Sequence, residues 1–432
     1  MQTRTVRVRR PFRTTGHFGT PPLAGLLMTP HAGPPPSLRG SPVYWLALGT
    51  FAVGTESFMI AGILPRISQD LAVSAASAGQ LVTVFALAYA LFSPIMTALT
   101  SKIPRRTLLI RSLAAFAVLN LLAAFAAGYW SLMAARVLLA IAAGLYVPGA
   151  NALAGSVVAP SLRGRAIGVV NGGLTVAIAL GVPLGTWVAS VASWRMTFVG
   201  VALLAFIATL GLIYGLARDV GANLPVATLA ERIRVAARPE VLTALLVTTL
   251  WATGAYTVYT YLAIYLQSAT MLRGATIGIV LFVWGISAGA GVLLGGWGAD
   301  RFSARRVVGP CLTLGALSFV LLSVIAHVVP PAYALTPVIL TTVLWGVSHW
   351  AFYPAQQSRL ITLGGLRVAP VALSLNASFM YLGFSLGAAS GSLALGTVGV
   401  ANIGLVGAAF VVLSLLLLRA TGRGESLVPS GD

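Results

Sequence analysis

Charged residues are scarce in this sequence. Only 8% of its 432 residues are Asp, Glu, Lys or Arg, whereas a soluble domain carries roughly 25%. Hydrophobic residues make up 58% of the chain, above the roughly 45–50% of soluble proteins. A folded protein in water needs more charged residues than this on its surface. The composition therefore excludes a soluble globular enzyme. It favours a helical protein that crosses a membrane several times.

Cysteine, lysine and acidic residues are also rare. Cys311 is the single cysteine, which excludes a disulfide-stabilised fold, and Lys102 is the single lysine among 27 basic residues. Eight acids leave a formal net charge of +19. Six arginines precede residue 40, and the others fall mostly in short gaps between apolar segments. This distribution is typical of basic loops beside a membrane and does not favour nucleic-acid binding.

Twelve apolar segments are long enough to cross a bilayer, because about 20 residues rising 1.5 Å each cover the hydrocarbon layer of about 30 Å. The sequence therefore predicts an all-α membrane protein with twelve transmembrane helices. We number the segments as spans 1 to 12, at residues 43–64, 76–99, 108–127, 131–154, 165–190, 195–217, 241–266, 274–298, 307–328, 334–355, 368–393 and 398–418.

The basic residues predict the orientation of the spans. If the N-terminus is cytoplasmic, 22 of the 27 basic residues lie in inner segments, and only Arg66, Arg195 and Arg273 lie in outer ones. Because cytoplasmic loops carry the excess of Lys and Arg, we expect a multi-pass protein of the cell membrane with both termini in the cytoplasm.

The chain divides into two halves of six spans with polar segments around them. Val226, Leu229 and Ile233 are at helical spacing within the middle segment, which predicts a short amphipathic helix on the inner membrane surface. A plain solvated linker is the alternative. The predicted order is a disordered basic tail at 1–42, a six-helix bundle at 43–217, a linker at 218–240, a second bundle at 241–419 and a tail at 420–432.

Two loops repeat one another across the halves. The loop after span 8 reads Gly296-Trp297-Gly298-Ala299-Asp300-Arg301-Phe302-Ser303-Ala304-Arg305-Arg306. The loop after span 2 reads Thr97-Ala98-Leu99-Thr100-Ser101-Lys102-Ile103-Pro104-Arg105-Arg106. Their offset of 199 residues is close to half the chain. Such a repeat predicts two pseudo-symmetric six-helix bundles related by an axis along the membrane normal.

These loops resemble the G-x-L-A-D-R-x-G-R-K/R loop of the major facilitator superfamily. Further segments resemble its twelve-span drug:proton antiporters, the branch that exports sugars, purine ribonucleosides and chloramphenicol. They are Gly49-Thr50-Phe51-Ala52-Val53-Gly54-Thr55-Glu56-Ser57-Phe58-Met59-Ile60-Ala61-Gly62-Ile63-Leu64-Pro65, Gln69-Asp70-Leu71, Arg136-Val137-Leu138, Gly181-Val182-Pro183-Leu184-Gly185-Thr186-Trp187 and Trp194-Arg195-Met196-Thr197-Phe198. The resemblance implies the major facilitator fold over about 43–418 and an exporter driven by protons.

The resemblance also implies roles for the loop residues. Asp300 and Arg301 would latch the two halves together, and the second loop also keeps Arg305 of the motif. The first loop keeps Arg105 and Arg106 but has Ser101 in place of the acid, which leaves its role in the latch open. The alternative for Arg105 and Arg106 is that they only set the topology.

Span 5 partly matches the antiporter signature G-x-x-x-G-P-x-x-G-G through Gly181, Pro183 and Gly185, although Thr186 replaces one glycine. Small residues allow two helices to approach closely, and proline favours a kink. A tight contact here would block proton leakage, and ordinary helix packing is the alternative.

Glu56 is the only carboxylate that the sequence places within a span, about 20 Å from the inner end by helix rise. We expect it to carry the transported proton; a structural glutamate and a ligand of a cationic solute are the alternatives. Arg136 lies near the outer end of span 4, and the resemblance implies that it takes part in proton coupling. Its alternative role is an arginine that snorkels to the interface.

Polar and aromatic residues in the spans are candidates for a solute cavity. Rings with a polar tip suit an amphipathic solute that is uncharged or weakly charged, whereas Tyr265 and Tyr333 are predicted to lie in the interfacial belt. The cavity candidates are Asn151, Asn171, Tyr256, Tyr259, Trp345, His349 and Asn376.

We therefore predict a monomeric, proton-coupled antiporter that exports a small organic solute such as a phenicol, a nucleoside or a sugar. A symporter or facilitator of the same fold is the alternative, and a membrane-embedded enzyme is a remote one, since the chain has no H-E-x-x-H motif. The chain has no G-x-x-x-x-G-K-[ST] loop to bind ATP. No cofactor or metal is expected, since the proton gradient supplies the energy.

Overall fold

The computed structural model describes residues 42–159, 162–218, 227–274, 276–365 and 368–425, with the side chains of 422–425 left aside. The predicted tails at 1–42 and 420–432 therefore lie largely outside the described residues, as does the middle of the predicted linker. Throughout the described ranges the secondary structure is helical, without β-strands.

Twelve helices in these ranges are long and apolar enough to cross a membrane. The first half contains α1 (Val43–Asp70), α2 (Ala75–Leu99), α3 (Arg105–Ala124), α4 (Tyr129–Ser156), α5 (Arg163–Val176), a π-helical turn (Ala177–Gly181), α6 (Val182–Val191) and α7 (Trp194–Gly215). The short α8 (Leu229–Ala236) follows within the predicted linker. The second half contains α9 (Pro239–Tyr259), α10 (Leu262–Ala269), α11 (Thr276–Phe302), α12 (Ala304–Val328), α13 (Leu335–Gly364), α14 (Ala369–Thr397), a 3-10 turn (Val400–Asn402) and α15 (Ile403–Glu425).

Two spans are less regular than hydropathy predicts. Span 5 contains the π-helical turn immediately before Pro183, where the backbone N–H of Val182 bonds to the carbonyl of Ala177, five residues earlier. Pro183 has no N–H to donate to the preceding turn, and such a gap in the ladder is a common cause of a bulge. Span 7 is interrupted at Thr260 and Tyr261, which separate α9 from α10.

The two bundles repeat the same packing. In the first bundle α1 contacts α5 and α7, and in the second α9 contacts α14 and α15. Arg106 donates to the carbonyls of Ile213 (2.8 Å) and Leu216 (2.9 Å) at the end of α7. Arg305 donates to the carbonyl of Leu418 (3.3 Å) in α15. These two arginines are 199 residues apart, the offset of the sequence repeat, so equivalent cations bind the last helix of each bundle.

The bundles are joined at the end where span 1 finishes and span 2 begins. Tyr259 donates to the carbonyl of Phe58 (3.1 Å), and Ser385 donates to the carbonyl of Thr83 (3.0 Å). Ser392 donates to the carbonyl of Ala76 (3.1 Å). Towards the opposite end, most of α5 is exposed or half-buried and does not pack against the second bundle in this way. The molecule is therefore closed at the end that the basic residues predict to be outer.

Candidate functional site

Glu56 and Arg136 form an ion pair inside the first bundle. Glu56 is the fourteenth residue of α1, and Arg136 is the eighth of α4. An Arg136 Nη1 atom donates to Glu56 Oε1, and both side chains are fully buried. Arg136 therefore does not snorkel to the interface, and neither residue faces lipid. A charge at such depth is costly unless it is paired, so the pair explains how the bundle accommodates both residues.

Span 2 supplies the other contacts of Arg136. Its Nε atom donates to the carbonyl of Leu81 (3.2 Å), and its guanidinium carbon lies 4.0 Å from the centre of the Phe85 ring. One oxygen of Glu56 and one Nη atom of Arg136 have no hydrogen-bond partner in the described part of the chain. The unpaired Glu56 oxygen can therefore accept one more hydrogen bond, and the unpaired Nη atom of Arg136 can donate one more.

Two tyrosines of the second bundle lie beside the ion pair. Tyr256 on α9 and Tyr381 on α14 are both close enough to Arg136 to interact with it electrostatically, and Tyr381 also interacts with Glu56. The Tyr381 hydroxyl is within hydrogen-bonding reach of the Ser57 side chain. The electrostatic surroundings of the ion pair in the first bundle therefore include side chains of the second bundle.

An aromatic cluster joins the bundles next to this pair. Phe58, two residues after Glu56, has its ring centre 6.2–6.4 Å from four rings of the second bundle. Tyr89 of α2 stacks on Tyr381, with ring centres 3.7 Å apart and planes at 14°. We call this set the inter-bundle aromatic cluster; it consists of Phe58, Tyr89, Tyr256, Tyr259, Trp350, Tyr381 and Phe384.

The cluster and the hydrogen bonds beyond it separate the ion pair from the closed end. Gly79 permits this closure, since a Cβ atom there would lie 1.9 Å from the Tyr261 hydroxyl. Glu56 has no exposed surface in this conformation. Exchange of a proton with water at Glu56 therefore requires a conformational change.

The partial antiporter signature packs directly against span 1 around Glu56. A Cβ atom on Gly181 would lie 2.1 Å from the Thr55 hydroxyl, and one on Gly185 would lie 3.3 Å from the Met59 Cβ. Pro183, between them, follows the π-helical turn. Span 11 repeats the arrangement against span 7, where Gly383, Gly387 and Gly391 lie over the carbonyls of Thr249, Thr253 and Thr257.

Two sequence-predicted cavity residues belong to an aromatic core in the second bundle. His349 stacks on Trp251, with ring centres 4.1 Å apart, and Trp345 packs against Tyr259 and Phe319. Trp345 has no exposed surface, and its indole Nε1 atom has no hydrogen-bond partner among the described residues. These side chains do not line an open space in this conformation.

The predicted asparagines occupy three different environments. Asn376 is fully buried, and its Oδ1 atom accepts from the Thr248 hydroxyl (2.7 Å), which Gln356 also contacts (3.2 Å). Asn151 is half-buried, with one bond to the carbonyl of Val147 (3.2 Å), and Asn171 is exposed on α5. Asn376 thus joins spans 7, 10 and 11, whereas Asn171 makes no such contact between spans.

The loop residues lie at the ends of helices, away from the ion pair. Asp300 and Arg301 are exposed in the last turns of α11, whereas Arg305 reaches α15. Arg106 reaches α7, and Arg105 is buried at the start of α3. The described contacts of Arg106 and Arg305 lie within their own bundles.

Two motif segments meet at the closed end. Arg195 forms an ion pair with Asp70, and the Trp194 indole also donates to Asp70 (3.0 Å). Span 6 is thus tied to the end of span 1, although the sequence showed these segments only as separate matches.

Several residues behave differently from the sequence prediction, or were not identified by it. Tyr333 is exposed, as expected of an interfacial residue, but Tyr265 is buried and donates to the carbonyl of Leu322 (2.6 Å), so its predicted place in the belt is wrong. Phe58, Phe85 and Tyr89 were missed, since aromatic residues within apolar spans carry no signal of which ring they contact.

Two runs, Gly285–Gly289 and Gly383–Gly387, match the G-x-S-x-G pattern of serine hydrolases. That pattern requires a sharp turn between a strand and a helix. Ser287 and Ser385 lie instead inside α11 and α14, and their hydroxyls donate to the carbonyls of Val283 (2.7 Å) and Thr83 (3.0 Å). In the described ranges, no group of three His, Cys, Asp or Glu side chains could hold a metal ion.

A polar cavity of about 380 Å³ lies at the closed end, between spans 1 and 5 of the first bundle and spans 7 and 8 of the second. Arg66, Gln69, Gln267 and Arg273 contribute its polar side chains. It lies beyond the aromatic cluster and is separate from the ion pair.

Comparison with known proteins identifies the family. Residues 46–388 match the family model described as Major Facilitator Superfamily. The chain is 33% identical to the uncharacterized MFS-type transporter YbcL of Bacillus subtilis, over 87% of this chain and 94% of that protein. It is 31% identical to a chloramphenicol resistance protein of Streptomyces lividans, over 88% and 95%.

The fold is also that of solved transporters. A bacterial homolog of the human lysosomal transporter Spinster superposes with a TM-score of 0.71 at 18% identity, over 88% of this chain and 96% of that one. The chain therefore belongs to the Major Facilitator Superfamily of multi-pass membrane transporters and has the fold of two six-helix bundles.

Proposed function

We propose that this transporter is a proton-coupled antiporter that exports a small organic solute. The buried Glu56–Arg136 ion pair beside the inter-bundle aromatic cluster is the observation that carries this proposal. An ionisable residue within a membrane span marks a substrate or proton pathway by default. Of the eight acids in the chain, Glu56 is the one at the middle of a described span.

Glu56 would alternate between two protonation states. As a carboxylate it is held by Arg136, and as a carboxylic acid it needs no counter-ion and releases that contact. The movement of Tyr256 and Tyr381 with the second bundle would open the pair to water on one side at a time. One proton that crosses 100 mV supplies about 2.3 kcal/mol, enough to bias such a two-state equilibrium.

We infer the direction of transport, export from the cell, from the name of a similar protein. A protein 31% identical to this chain is named a chloramphenicol resistance protein, and resistance to a drug is consistent with its removal from the cell. The aromatic residues at the bundle interface suit a solute with an aromatic or amphipathic body and no full charge. A phenicol therefore fits better than a charged solute, and nucleosides and sugars are the next candidates.

The orientation and assembly belong to the same proposal. We place the protein in a bacterial-type inner membrane with both termini in the cytoplasm. In this orientation the closed end faces outward, and the described conformation is inward-facing. Each chain contains both bundles, so a monomer suffices for alternating access. No cofactor or metal takes part, and we propose no enzymatic activity.

Everted membrane vesicles from an efflux-deficient host test this function. We expect an imposed inside-acid gradient to drive the uptake of a phenicol, a nucleoside or a sugar, and a protonophore to abolish that uptake. A symporter would instead expel the solute from these vesicles under the same gradient. Uptake that stops at equal concentrations and is indifferent to the gradient would show a facilitator and contradict the proposal.

A further inference from the structure

Two guanidinium groups lie buried at the inner ends of the spans, and neither forms an ion pair with a carboxylate of the described residues. Arg232 on α8 is 6% exposed, and Arg105 at the start of α3 is 7% exposed. Burial lowers the pKa of Arg232, and the charge of Arg105 lowers it further. Buried charges are normally paired, whereas these two charges face a like charge.

The other contacts of Arg232 do not neutralise it. Its Nη1 atom donates to the Ser374 hydroxyl (2.7 Å), and its Nε atom has no partner among the described residues. Glu231, next in sequence, accepts instead from the backbone N–H (2.7 Å) and hydroxyl (3.1 Å) of Thr228, and these bonds lower the pKa of its carboxyl.

Arg105 adds a second source of positive potential. It is the first residue of α3, a helix of 20 residues whose N-terminus has no side-chain cap. The unpaired N–H groups of a helix N-terminus favour an anion. Arg232, the Ser374 hydroxyl that it contacts and the unpartnered Arg232 Nε atom therefore form a buried donor group, and Arg105 at the helix N-terminus adds positive charge within electrostatic reach of it.

The position of α8 indicates which anionic groups can reach Arg232. The helix contacts α2 of the first bundle and both α9 and α14 of the second. Leu229 and Ile233 are 43% and 61% exposed, while Arg232 and Val235 face the protein. A short helix with an exposed apolar face at the ends of the spans lies at the depth of lipid headgroups.

We propose that Arg105, Arg232 and Ser374 bind a phosphate group, supplied by the headgroup of an anionic lipid or by free phosphate. The planar guanidinium fork matches the oxygens of a phosphate, and the serine hydroxyl offers another donor. Because α8 touches both bundles, a bound phosphate stabilises the conformation in which the linker helix and the spans are in contact. This site is separate from the transport reaction at Glu56.

Thermal unfolding of the full-length protein in lipid nanodiscs tests the site. Three preparations are compared at equal ionic strength: phosphatidylcholine alone, phosphatidylcholine with phosphatidylglycerol, and phosphatidylcholine with inorganic phosphate. We expect at least one of the last two to raise the Tm by about 3 °C or more. A rise with phosphatidylglycerol alone identifies a lipid headgroup, and a rise with inorganic phosphate identifies the free ion.

Arg232→Gln should abolish this rise, and Arg234→Gln, on the exposed side of the same helix, should retain it. In phosphatidylcholine alone, Arg232→Gln should be at least as stable as the parent protein, because it relieves the repulsion of Arg105. Arg105→Gln should lose the rise in the same way and serves if Arg232→Gln does not fold. No rise in either preparation, or an equal loss in Arg234→Gln, would overturn the proposal.

Discussion

At the scale of single residues, the ion pair is what distinguishes this bundle from a purely apolar one. The sequence identified Glu56 and Arg136 separately, because charged residues within spans are rare and conspicuous. Their contact could not be predicted, since they are 80 residues apart and the rotation of each helix decides which side chains meet. For the same reason the sequence could not predict that the ring of Phe85 faces the Arg136 guanidinium.

Removal of one charge should destabilise the protein more than removal of both. Arg136→Ala leaves Glu56 buried without its partner, so we expect the free energy of unfolding to fall by about 3–5 kcal/mol. The double variant Glu56→Gln/Arg136→Gln leaves no buried charge without a partner, so most of the loss should be recovered. Thermal unfolding in nanodiscs measures both, and a wild-type Tm for Arg136→Ala would contradict the buried pair.

At the scale of helices, glycines set how closely span 5 approaches span 1. A Cβ atom on Gly181 would meet the Thr55 hydroxyl, whereas the same change at Gly168, also in span 5, meets open space. Gly181→Val should therefore lower the free energy of unfolding by about 2 kcal/mol and impair transport, because it displaces α1 beside Glu56.

Gly168→Val is the matched control, and it should retain both the Tm and the transport rate. The measurement is the Tm of each purified variant together with its solute uptake in everted vesicles. Equal behaviour of the two variants would show that the contact of Gly181 with span 1 has no particular role.

The helices themselves were largely predictable, and their irregularities were not. Hydropathy alone gave twelve spans in the right order, because any segment that crosses lipid must be apolar over about 20 residues. The helix break at Thr260 and Tyr261 lies inside a continuous apolar segment, and neither residue is a Gly or Pro that would predict a break. The π-helical turn before Pro183 is hidden in the same way, since proline predicts a kink but not its form.

At the scale of the whole molecule, the orientation rests on the positions of the basic residues. In a Cys311→Ser background, Ser131→Cys should react with an impermeant maleimide added to intact cells, because Ser131 is exposed at the predicted outer end. Ser101→Cys, exposed in the loop after span 2, should react only after the membrane is made permeable. The opposite pattern would reverse the orientation.

The closed end depends on the approach of α2 to Tyr261 at Gly79. Gly79→Val should disfavour closure, since its Cβ atom would overlap the Tyr261 hydroxyl. Ser392, which is half-buried against Ala76, would then become accessible. We expect maleimide labelling of Ser392→Cys to rise about tenfold, which corresponds to roughly 1.4 kcal/mol of population shift.

Gly128→Val is the control for this labelling, because a Cβ atom at Gly128 contacts nothing within 4 Å. Labelling of Ser392→Cys should remain at its original rate in that variant. If Gly79→Val also left the rate unchanged, the contact at Gly79 would not control the closed end.

Transport by Glu56→Gln tests the central claim most directly. With the solute found in the vesicle assay, we predict that this variant loses uptake driven by the pH gradient but still exchanges labelled solute for unlabelled solute across the membrane. Retained exchange shows that the protein is inserted and that its solute site is intact, and Ser131→Cys labelling confirms its amount at the cell surface. Gradient-driven uptake at the wild-type rate in Glu56→Gln would contradict the assignment of Glu56 as the proton carrier.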